Sequence, residues 1–342
     1  MNSESAQPER MTTRWWRRLR TVVRNMAVVA AASWCLLACY FYLPLPPWGR
    51  WLATAVCGIW WLFLWRGRFS SWFRWSGFLL TFALIVVAWC FVRPSDQGDW
   101  SRLHANVVEA EFDGDQVQLR NVRSTEYNPD GTYDVFYLDR ELDLNRVSSV
   151  WFGVQQFVSW RGGSHTFVSF GFDDGEYLTI SVEARRGEGQ QFNPLHGMFK
   201  QCGLIYVVGS ELDIIGSRAA ESEYPIYLYP IRATREQSRE MLVTMLRRAD
   251  GLGDRPEFYH TTVNNCTTNI VDSFNQIAPI RISGFSPRVM FPGYSGGVAY
   301  EQGLIASDLP FEEVQKNARI NELAREASAG NFSQRIRSNF TK

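Results

Sequence analysis

The chain has 342 residues, with 35 basic and 35 acidic side chains and a formal net charge of zero. This length accommodates a membrane part together with one domain of about 200–250 residues. Nucleic-acid-binding proteins carry a basic surface that neutralises phosphates. The balanced charge therefore argues against a nucleic-acid partner.

Three apolar stretches among the first hundred residues predict a membrane anchor. They cover Met26–Leu43, Trp48–Trp65 and Trp75–Val92, each close to the ~20 residues that a helix needs to cross a bilayer. Tryptophans flank them, as in the aromatic belts at membrane interfaces. A cleaved signal peptide is the alternative for the first stretch, but no small-residue cleavage site follows it.

The arginines predict the orientation of these segments. Six of them precede residue 25 and three lie in the connection RGRFSSWFR, whereas the connection LPLPPWGR has one. The positive-inside rule places the N-terminus in the cytoplasm and everything after Arg93 outside. We therefore predict a basic cytoplasmic N-terminus at residues 1–25, a three-helix transmembrane anchor at residues 26–93 and an extracytoplasmic domain at residues 94–342.

The outer domain is predicted to be α+β, with helices packed on an antiparallel sheet. Turn residues predict a hairpin at Asp113–Asp115 and another turn at Asn128–Gly131. Apolar periodicity predicts helices over about Thr234–Ala249, Cys266–Ile277 and Phe311–Ala327.

The most informative hairpin has the sequence HTFVSFGF-DDG-EYLTISVEA. Asp173–Gly175 suits a three-residue loop with glycine in the left-handed conformation. The resulting register pairs Phe170 with Leu178 and Val168 with Ile180, which makes one face almost wholly apolar.

The other face of this hairpin carries His165, Ser169, Thr179, Ser181 and Glu183. The register places His165 directly opposite Glu183, and Cβ atoms of such partners lie about 5 Å apart. A carboxylate at that position could orient an imidazole. The alternative is a solvated polar face without a catalytic role.

Cys266 lies at the predicted start of a helix, after the N-cap residues Asn264 and Asn265 and before Thr267. The helix dipole and free backbone N–H groups favour a thiolate there and could bind an oxyanion. A cysteine at a helix start with a histidine on a nearby strand is the arrangement of papain-like thiol enzymes. Two alternatives stay open: a disulfide with Cys202, the other cysteine outside the apolar stretches, or a small buried residue.

These segments carry a resemblance. SHTFVSFGFDDGEYLTISVEARR, GLIYVV, YPIYLYPIRA and NNCTTNI resemble the Lnb-type N-terminal periplasmic domain family, bacterial envelope proteins related to lipoprotein intramolecular acyltransferase. The likeness runs from about Asn121 to Asn321. The order histidine then cysteine is also similar to the circularly permuted, NlpC-like branch of the papain superfamily.

The resemblance implies a circularly permuted papain-like domain on the periplasmic side of a bacterial inner membrane. It implies that Cys266 is the nucleophile and His165 the base, whereas the orienting role of Glu183 comes from the hairpin register. Related sequences tend to carry tyrosine at the position of Cys202, so a Cys202–Cys266 disulfide is not implied.

Other sites are less well supported by the residues. GYSGG at Gly293–Gly297 matches the G-x-S-x-G nucleophile elbow. That elbow needs a strand before the serine and a histidine later in the chain, but the sequence has no histidine after His260. A glycine-rich turn is the better interpretation. The histidines show no metal-ligand spacing, so we expect neither a metal nor a cofactor. Tyr259 and His260 could line the site, but packing is the simpler role for both.

The resulting hypothesis is a membrane-anchored thiol acyltransferase or hydrolase that acts on an ester or amide carbonyl of a lipid or lipoprotein in the envelope. Its catalytic residues would be Cys266, His165 and Glu183, with Asn264, Asn265 and Thr267 near the substrate. The expected partners are the lipid bilayer and a phospholipid or lipoprotein substrate. A cell-wall amidase or peptidase using the same pair and a non-catalytic binding or scaffold domain are the alternatives. A groove for peptide stems would favour the amidase, and an apolar channel the acyltransferase.

Overall fold

The computed structural model describes residues 7–43, 45–128, 132–216, 218–219 and 222–340. Contacts divide the chain into two compact units, Met1–Arg93 and Pro94–Lys342. The first unit is helical, and the second contains a sheet with helices on it.

The first unit contains three helices: α1 (Gln7–Tyr42), α2 (Pro47–Arg66) and α3 (Ser71–Phe91). Two segments are long and apolar enough to cross a membrane, namely Trp15–Tyr42 in α1 and all of α3.

Among the described residues there are thus two candidate membrane-spanning helices and not the three that were predicted. Helix α2 forms where the second span was expected, but it is not among the segments that meet the test of length and hydropathy. Its sequence PWGRWLATAVCGIWWLFLWR contains arginine, two glycines and five tryptophans. Each indole carries a polar N–H group, which lowers the hydropathy of a helix that is otherwise apolar.

The second unit is built on one sheet, whose eight described strands are β1 (Glu109–Asp113), β2 (Gln116–Tyr127), β3 (Tyr133–Asp143), β4 (Val147–Gln156), β5 (Ser164–Phe172), β6 (Tyr177–Arg185), β7 (Gly203–Gly209) and β8 (Ile226–Pro230). The strand order is β1-β2-β7-β6-β5-β4-β8, with β3 paired to β2. The β2–β7 pair is parallel and the other pairs are antiparallel. The α+β class is confirmed, but the sheet is mixed rather than wholly antiparallel.

Two turns form as their sequences predict. Gly114, between β1 and β2, and Gly175, between β5 and β6, have φ angles of 60° and 84°. Only glycine adopts this left-handed conformation without strain. The β5–β6 register is also as predicted, with Phe170 opposite Leu178 and Val168 opposite Ile180. The turn predicted at Asn128–Gly131 lies mostly outside the described residues.

The pairing of β5 with β6 does not extend to Ser164, the first residue of β5. Their last pair is Phe167 with Ser181, after which β6 continues along β7 as far as Arg185. Strand β5 remains paired with β4 back to Ser164. A space therefore opens between Ser164–Thr166 and Val182–Ala184, here called the β5–β6 gap.

The α-helices of the second unit within the described residues are α4 (Pro194–Met198), α5 (Arg235–Asp254), α6 (Cys266–Ile277), α7 (Pro287–Met290), α8 (Ser295–Glu301), α9 (Phe311–Ala318), α10 (Asn321–Glu326) and α11 (Phe332–Arg335). Helix α6 has the bounds predicted for it. The helix predicted over Phe311–Ala327 is broken, because Arg319 is extended and forms a bridge with Tyr227 of β8.

The sheet is buried on both faces. Val168 of β5 belongs to the apolar core that includes residues of α5 and α6, such as Leu242 and Ile270. Phe167 belongs to a second core, which includes Ile320 and other residues near the C-terminus. Neighbouring residues of β5 thus face opposite layers, as strand geometry requires.

The GYSGG segment forms a turn that packs against the backbone just before β5. Pro292–Tyr294 forms a 3-10 turn, and the Ser295 hydroxyl donates to the Pro292 carbonyl at 2.5 Å. A helix, α7, rather than a strand comes before the turn. A Cβ atom at Gly293 would lie 1.8 Å from the carbonyl oxygen of Arg161, just before β5.

We expect Gly293→Ala to lower the unfolding midpoint, because overpacking of this kind costs about 1–3 kcal/mol. Gly251→Ala is the matched control, since a Cβ atom there meets nothing within 4 Å and the position lies in α5. Alanine in a helix is favoured over glycine by up to ~1 kcal/mol, so the control should be neutral or stabilised. Thermal unfolding of the detergent-solubilised chain measures both. Equal midpoints for the two variants would show that the contact is not tight.

Candidate active site

Cys266 is the first residue of α6, and only 2% of its surface is exposed. Asn265 caps the helix, with its side chain accepting from the Thr268 N–H at 2.9 Å. The Thr268 hydroxyl in turn accepts from the Asn265 N–H at 2.9 Å. This reciprocal capping box fixes where the helix begins, and thus where the thiol lies.

Two threonines surround the thiol. The Cys266 Sγ lies 3.9 Å from the Thr267 Oγ1, which is 3.1 Å from the Thr166 Oγ1. Burial raises the pKa of Cys266 above its ordinary 9.0, although the hydroxyls and backbone N–H groups of both threonines act to lower it. The thiol is therefore protonated at neutral pH and is surrounded by the hydroxyls and backbone N–H groups of Thr166 and Thr267.

A contact with the backbone N–H of Thr166 places the Cys266 sulfur at the β5–β6 gap. Phe172 donates its N–H to the Glu176 carbonyl at 3.0 Å, and every second residue of an antiparallel strand points its N–H to the same side. Thr166 therefore points its N–H towards β6, which has already left β5 at this level. The N–H of Thr166 is therefore not used by β6, and it contacts the thiol of Cys266.

His165 bridges the same gap from the other face of the sheet. Its Nε2 lies 2.7 Å from the hydroxyl of Ser181 on β6. Ser181 pairs with Phe167, so both belong to the face opposite α6. The imidazole of β5 and the thiol of α6 thus approach one gap from opposite sides.

The hairpin register predicts that His165 lies directly opposite Glu183, but in the structure the two side chains are not in direct contact. The Ser181 hydroxyl lies between them and donates to the Glu183 Oε1 at 2.8 Å. The reason is the parting of the strands, because β6 carries Glu183 away along β7, where it pairs with Ile205.

Glu183 is buried and ionised. Its Oε1 accepts from Arg218 at 2.5 Å and its Oε2 lies 3.0 Å from the Nε2 of His104. Burial by itself raises the pKa of Glu183, but Arg218 and the hydrogen bond from His104 outweigh it and hold that pKa well below the ordinary 4.5.

The hydrogen-bond directions determine the tautomer of His165. An ionised carboxylate only accepts, so the single hydroxyl proton of Ser181 is directed to Glu183. Ser181 must then accept from His165, which places the ring proton on Nε2 and the lone pair on Nδ1. Burial and the nearby Arg218 lower the pKa of His165 to about 3, with Glu183 opposing them. The imidazole is neutral at pH 7, and its Nδ1 can accept a proton.

The residues predicted near the substrate differ in their contacts. Asn264 donates to the Phe258 carbonyl and accepts from Asn269, while Asn265 caps α6 and donates to the Thr261 carbonyl. These side chains are occupied by the protein itself, so their contacts indicate a structural role. Thr267, by contrast, lines a cavity.

This cavity has a volume of about 250 Å³ and is almost wholly apolar. It lies on the face of the sheet that carries α5 and α6, and Thr267, next to Cys266, is part of its wall. The apolar side chains that line it include Val150, Phe152, Val168, Met241, Ile270 and Phe274.

Cys202 and Cys266 are both free and buried, so they do not form a disulfide. Tyr259 is buried, and its ring contacts Phe192. Burial raises the pKa of Tyr259 well above 10.0, with further contributions from both cysteines, so it is a neutral neighbour of the thiol. His260 bonds Thr262 through its Nδ1.

The sequence did not predict the roles of four residues of the site. Ser181 had been placed on the polar face, but its relay position depends on where β6 leaves β5. The contact of Thr166 with the thiol depends on the same parting of the strands. His104 and Arg218 lie far from the hairpin in the sequence, and no motif marks either of them.

We expect the rate of Cys266 alkylation by iodoacetamide to keep rising with pH beyond 9, because the thiolate is the reactive form and burial raises the thiol pKa. Peptide mapping by mass spectrometry measures the rate at this cysteine alone. The urea-unfolded chain is the control and should titrate near the ordinary value. A rate that levels off below about pH 8 would contradict a raised pKa.

We also expect Glu183 to contribute stability that is lost in acid. Its folded pKa lies below the ordinary 4.5, so the contribution is complete above that value and disappears as pH falls through the folded pKa. Glu183→Gln should therefore show a smaller fall in unfolding midpoint below pH 4.5 than the unmodified chain. Glu176→Gln, at an exposed carboxylate, is the matched control. Parallel profiles for all three proteins would contradict the prediction.

Of the comparisons with known proteins, the one with protein-family models finds a match. No curated protein and no solved structure matches the chain. The family model described as the Lnb N-terminal periplasmic domain matches residues 133–291, which include Cys266, His165 and Glu183 but not His104. Together with the apolar N-terminal helices, this match fits an envelope membrane protein. Residues 133–291 are therefore similar to the Lnb N-terminal periplasmic domain family.

Proposed function

We propose that the chain is a thiol acyltransferase or hydrolase of the cell envelope, with Cys266 as nucleophile and His165 as base. The observation that carries this proposal is the β5–β6 gap. Thr166, which contacts the buried thiol, and His165, a neutral imidazole of defined tautomer, are neighbours on the strand that borders this gap. A histidine strand that precedes a cysteine helix in the chain is also the order of a circularly permuted papain-like domain.

The first half of the reaction forms an acyl-enzyme. The Nδ1 of His165 takes the thiol proton while the Cys266 Sγ attacks the carbonyl carbon of an ester or amide. The carbonyl oxygen becomes an oxyanion, and the backbone N–H groups of Thr166 and Thr267 are the donors available to it. The carbon–oxygen or carbon–nitrogen bond then breaks, and the leaving group takes the proton from the imidazole.

The second half releases the acyl group. An amine, a hydroxyl or water attacks the thioester carbonyl carbon and gives its proton to Nδ1 of His165. The carbon–sulfur bond breaks, and the sulfur recovers its proton from the imidazole. The hydrogen bond from Nε2 to Ser181, backed by the ionised Glu183, stabilises the imidazolium that forms in both halves.

The apolar cavity favours an acyl chain as the part of the substrate that is bound. Its walls offer few polar groups, whereas a peptide would need partners for its backbone N–H and C=O groups. Thr267 connects the cavity wall to the thiol. The membrane-type N-terminal helices are consistent with a lipid or lipoprotein substrate. An acyl substrate is therefore favoured over the peptide stem that an amidase would bind.

The test is acyl-enzyme formation by the full chain in detergent, with p-nitrophenyl laurate and p-nitrophenyl butyrate as probes. We expect a thioester on Cys266, detected by mass spectrometry and released by hydroxylamine. His165→Ala should slow its formation by roughly a hundredfold or more, as expected for the loss of a general base. Ile270→Trp, which narrows the cavity, should slow laurate more than butyrate.

Cys202→Ser is the matched control, because Cys202 is the other buried cysteine of this unit. It should acylate at the unmodified rate. Equal rates for His165→Ala and the unmodified chain would overturn the proposed pair. Equal slowing of both esters by Ile270→Trp would argue against the cavity as the acyl site.

A further inference from the structure

The segment that follows α3 brings a histidine to the proposed site. His104 lies 79 residues before Glu183, yet its Nε2 is 3.0 Å from the Glu183 Oε2. Only 1% of the His104 surface is exposed. The residue lies outside the part of the chain that matches the family model.

Several contacts fix the backbone around His104. Arg185 of β6 donates to the carbonyls of His104 and Ala105 at 2.9 and 2.6 Å. The guanidinium of Arg185 also lies 4.6 Å from the ring centroid of Trp100. The Tyr137 hydroxyl donates to the Arg102 carbonyl at 2.9 Å. The segment is thus held against the sheet by groups other than the imidazole itself.

The hydrogen bonds of His104 define which nitrogen carries its proton. Burial lowers the pKa of His104, although Glu183 opposes this, so the ring is neutral at pH 7. Its Nε2 faces an ionised carboxylate and must donate. Its Nδ1 then accepts from the Ser101 hydroxyl, 3.1 Å away.

We propose that His104 is a positioning residue for His165, acting through Glu183 and Ser181. The two carboxylate oxygens of Glu183 divide their partners, with Oε2 facing His104 and Oε1 facing Ser181 and Arg218. Without the donor on Oε2, a buried oxygen is left unsatisfied. The carboxylate then turns to share the remaining donors, and Ser181 no longer holds His165 with its lone pair on Nδ1.

This inference rests on the proposed function and extends it to the segment that joins the N-terminal helices to the sheet. Residues 94–105 are then part of the site and not only a linker. The proposal differs from a purely structural role, since the contacts of Arg185 and Tyr137 hold the segment by its backbone.

The test replaces His104 in the full chain. Gln places an amide N–H₂ near the position of Nε2 and keeps the donor to Glu183, whereas Asn places it near Nδ1 and does not reach. We expect His104→Asn to slow thioester formation at neutral pH roughly tenfold, the scale of one lost hydrogen bond to a charged group. His104→Gln should stay within about threefold of the unmodified rate. Tyr137→Phe, which loosens the segment without touching Glu183, is the control and should be unaffected.

A second readout follows the tautomer of His165 directly. The chain has four histidines, so ¹⁵N-imidazole labelling gives few signals, and His165→Gln identifies the signal of interest. We expect a protonated Nε2 and an unprotonated Nδ1 in the unmodified chain and in His104→Gln, and mixed protonation in His104→Asn.

The outcomes separate the two proposals. If His165→Ala acylates normally, the proposed function fails. If His165→Ala is slow while Asn and Gln at position 104 give the same rate and the same His165 signals, only the role of His104 is overturned. Slowing by Tyr137→Phe equal to that of His104→Asn would likewise show that anchoring of the segment, not the hydrogen bond, is what matters.

Discussion

The parting of β5 and β6 after the Phe167–Ser181 pair is the constraint on which the site depends. A continued ladder would engage the N–H of Thr166 with Val182 and close the sheet between α6 and His165. Because the β5–β6 ladder ends here, the backbone N–H of Thr166 is free to contact the thiol of Cys266. The imidazole then bridges the opening to Ser181 from the other face.

The carboxylate of Glu183 is balanced by groups other than Cys266 and His165. Glu183 is compensated by Arg218 and hydrogen-bonded by His104, and an uncompensated charge at this depth would be strongly destabilising. The Ser181 hydroxyl donates to the Glu183 carboxylate and accepts from His165, so it links the two side chains by hydrogen bonds. Cys266 and His165 are both neutral at pH 7, because burial raises the pKa of the thiol and lowers the pKa of the imidazole.

Local chemistry determined the parts of this protein that the sequence predicted well. Gly175 sets a left-handed turn, and that turn fixes the β5–β6 register near the loop. Asn265 caps α6, which places Cys266 at its first turn. Both signals involve residues within a few positions of each other, so their outcome does not depend on the rest of the fold. The sequence was less reliable for Arg319, where a bridge to β8 interrupts an otherwise helical pattern.

The sequence by itself determined the hairpin, the start of the cysteine helix and the apolar character of the N-terminal helices. Only the tertiary structure decided which polar groups meet. The separation of His165 from Glu183 by Ser181 follows from the end of β5–β6 pairing at Phe167 and Ser181, beyond which β6 pairs with β7 alone. His104 and Arg218 reach Glu183 from segments distant in the chain. Such contacts depend on how strands are ordered in the sheet, and no local spacing of residues encodes that order.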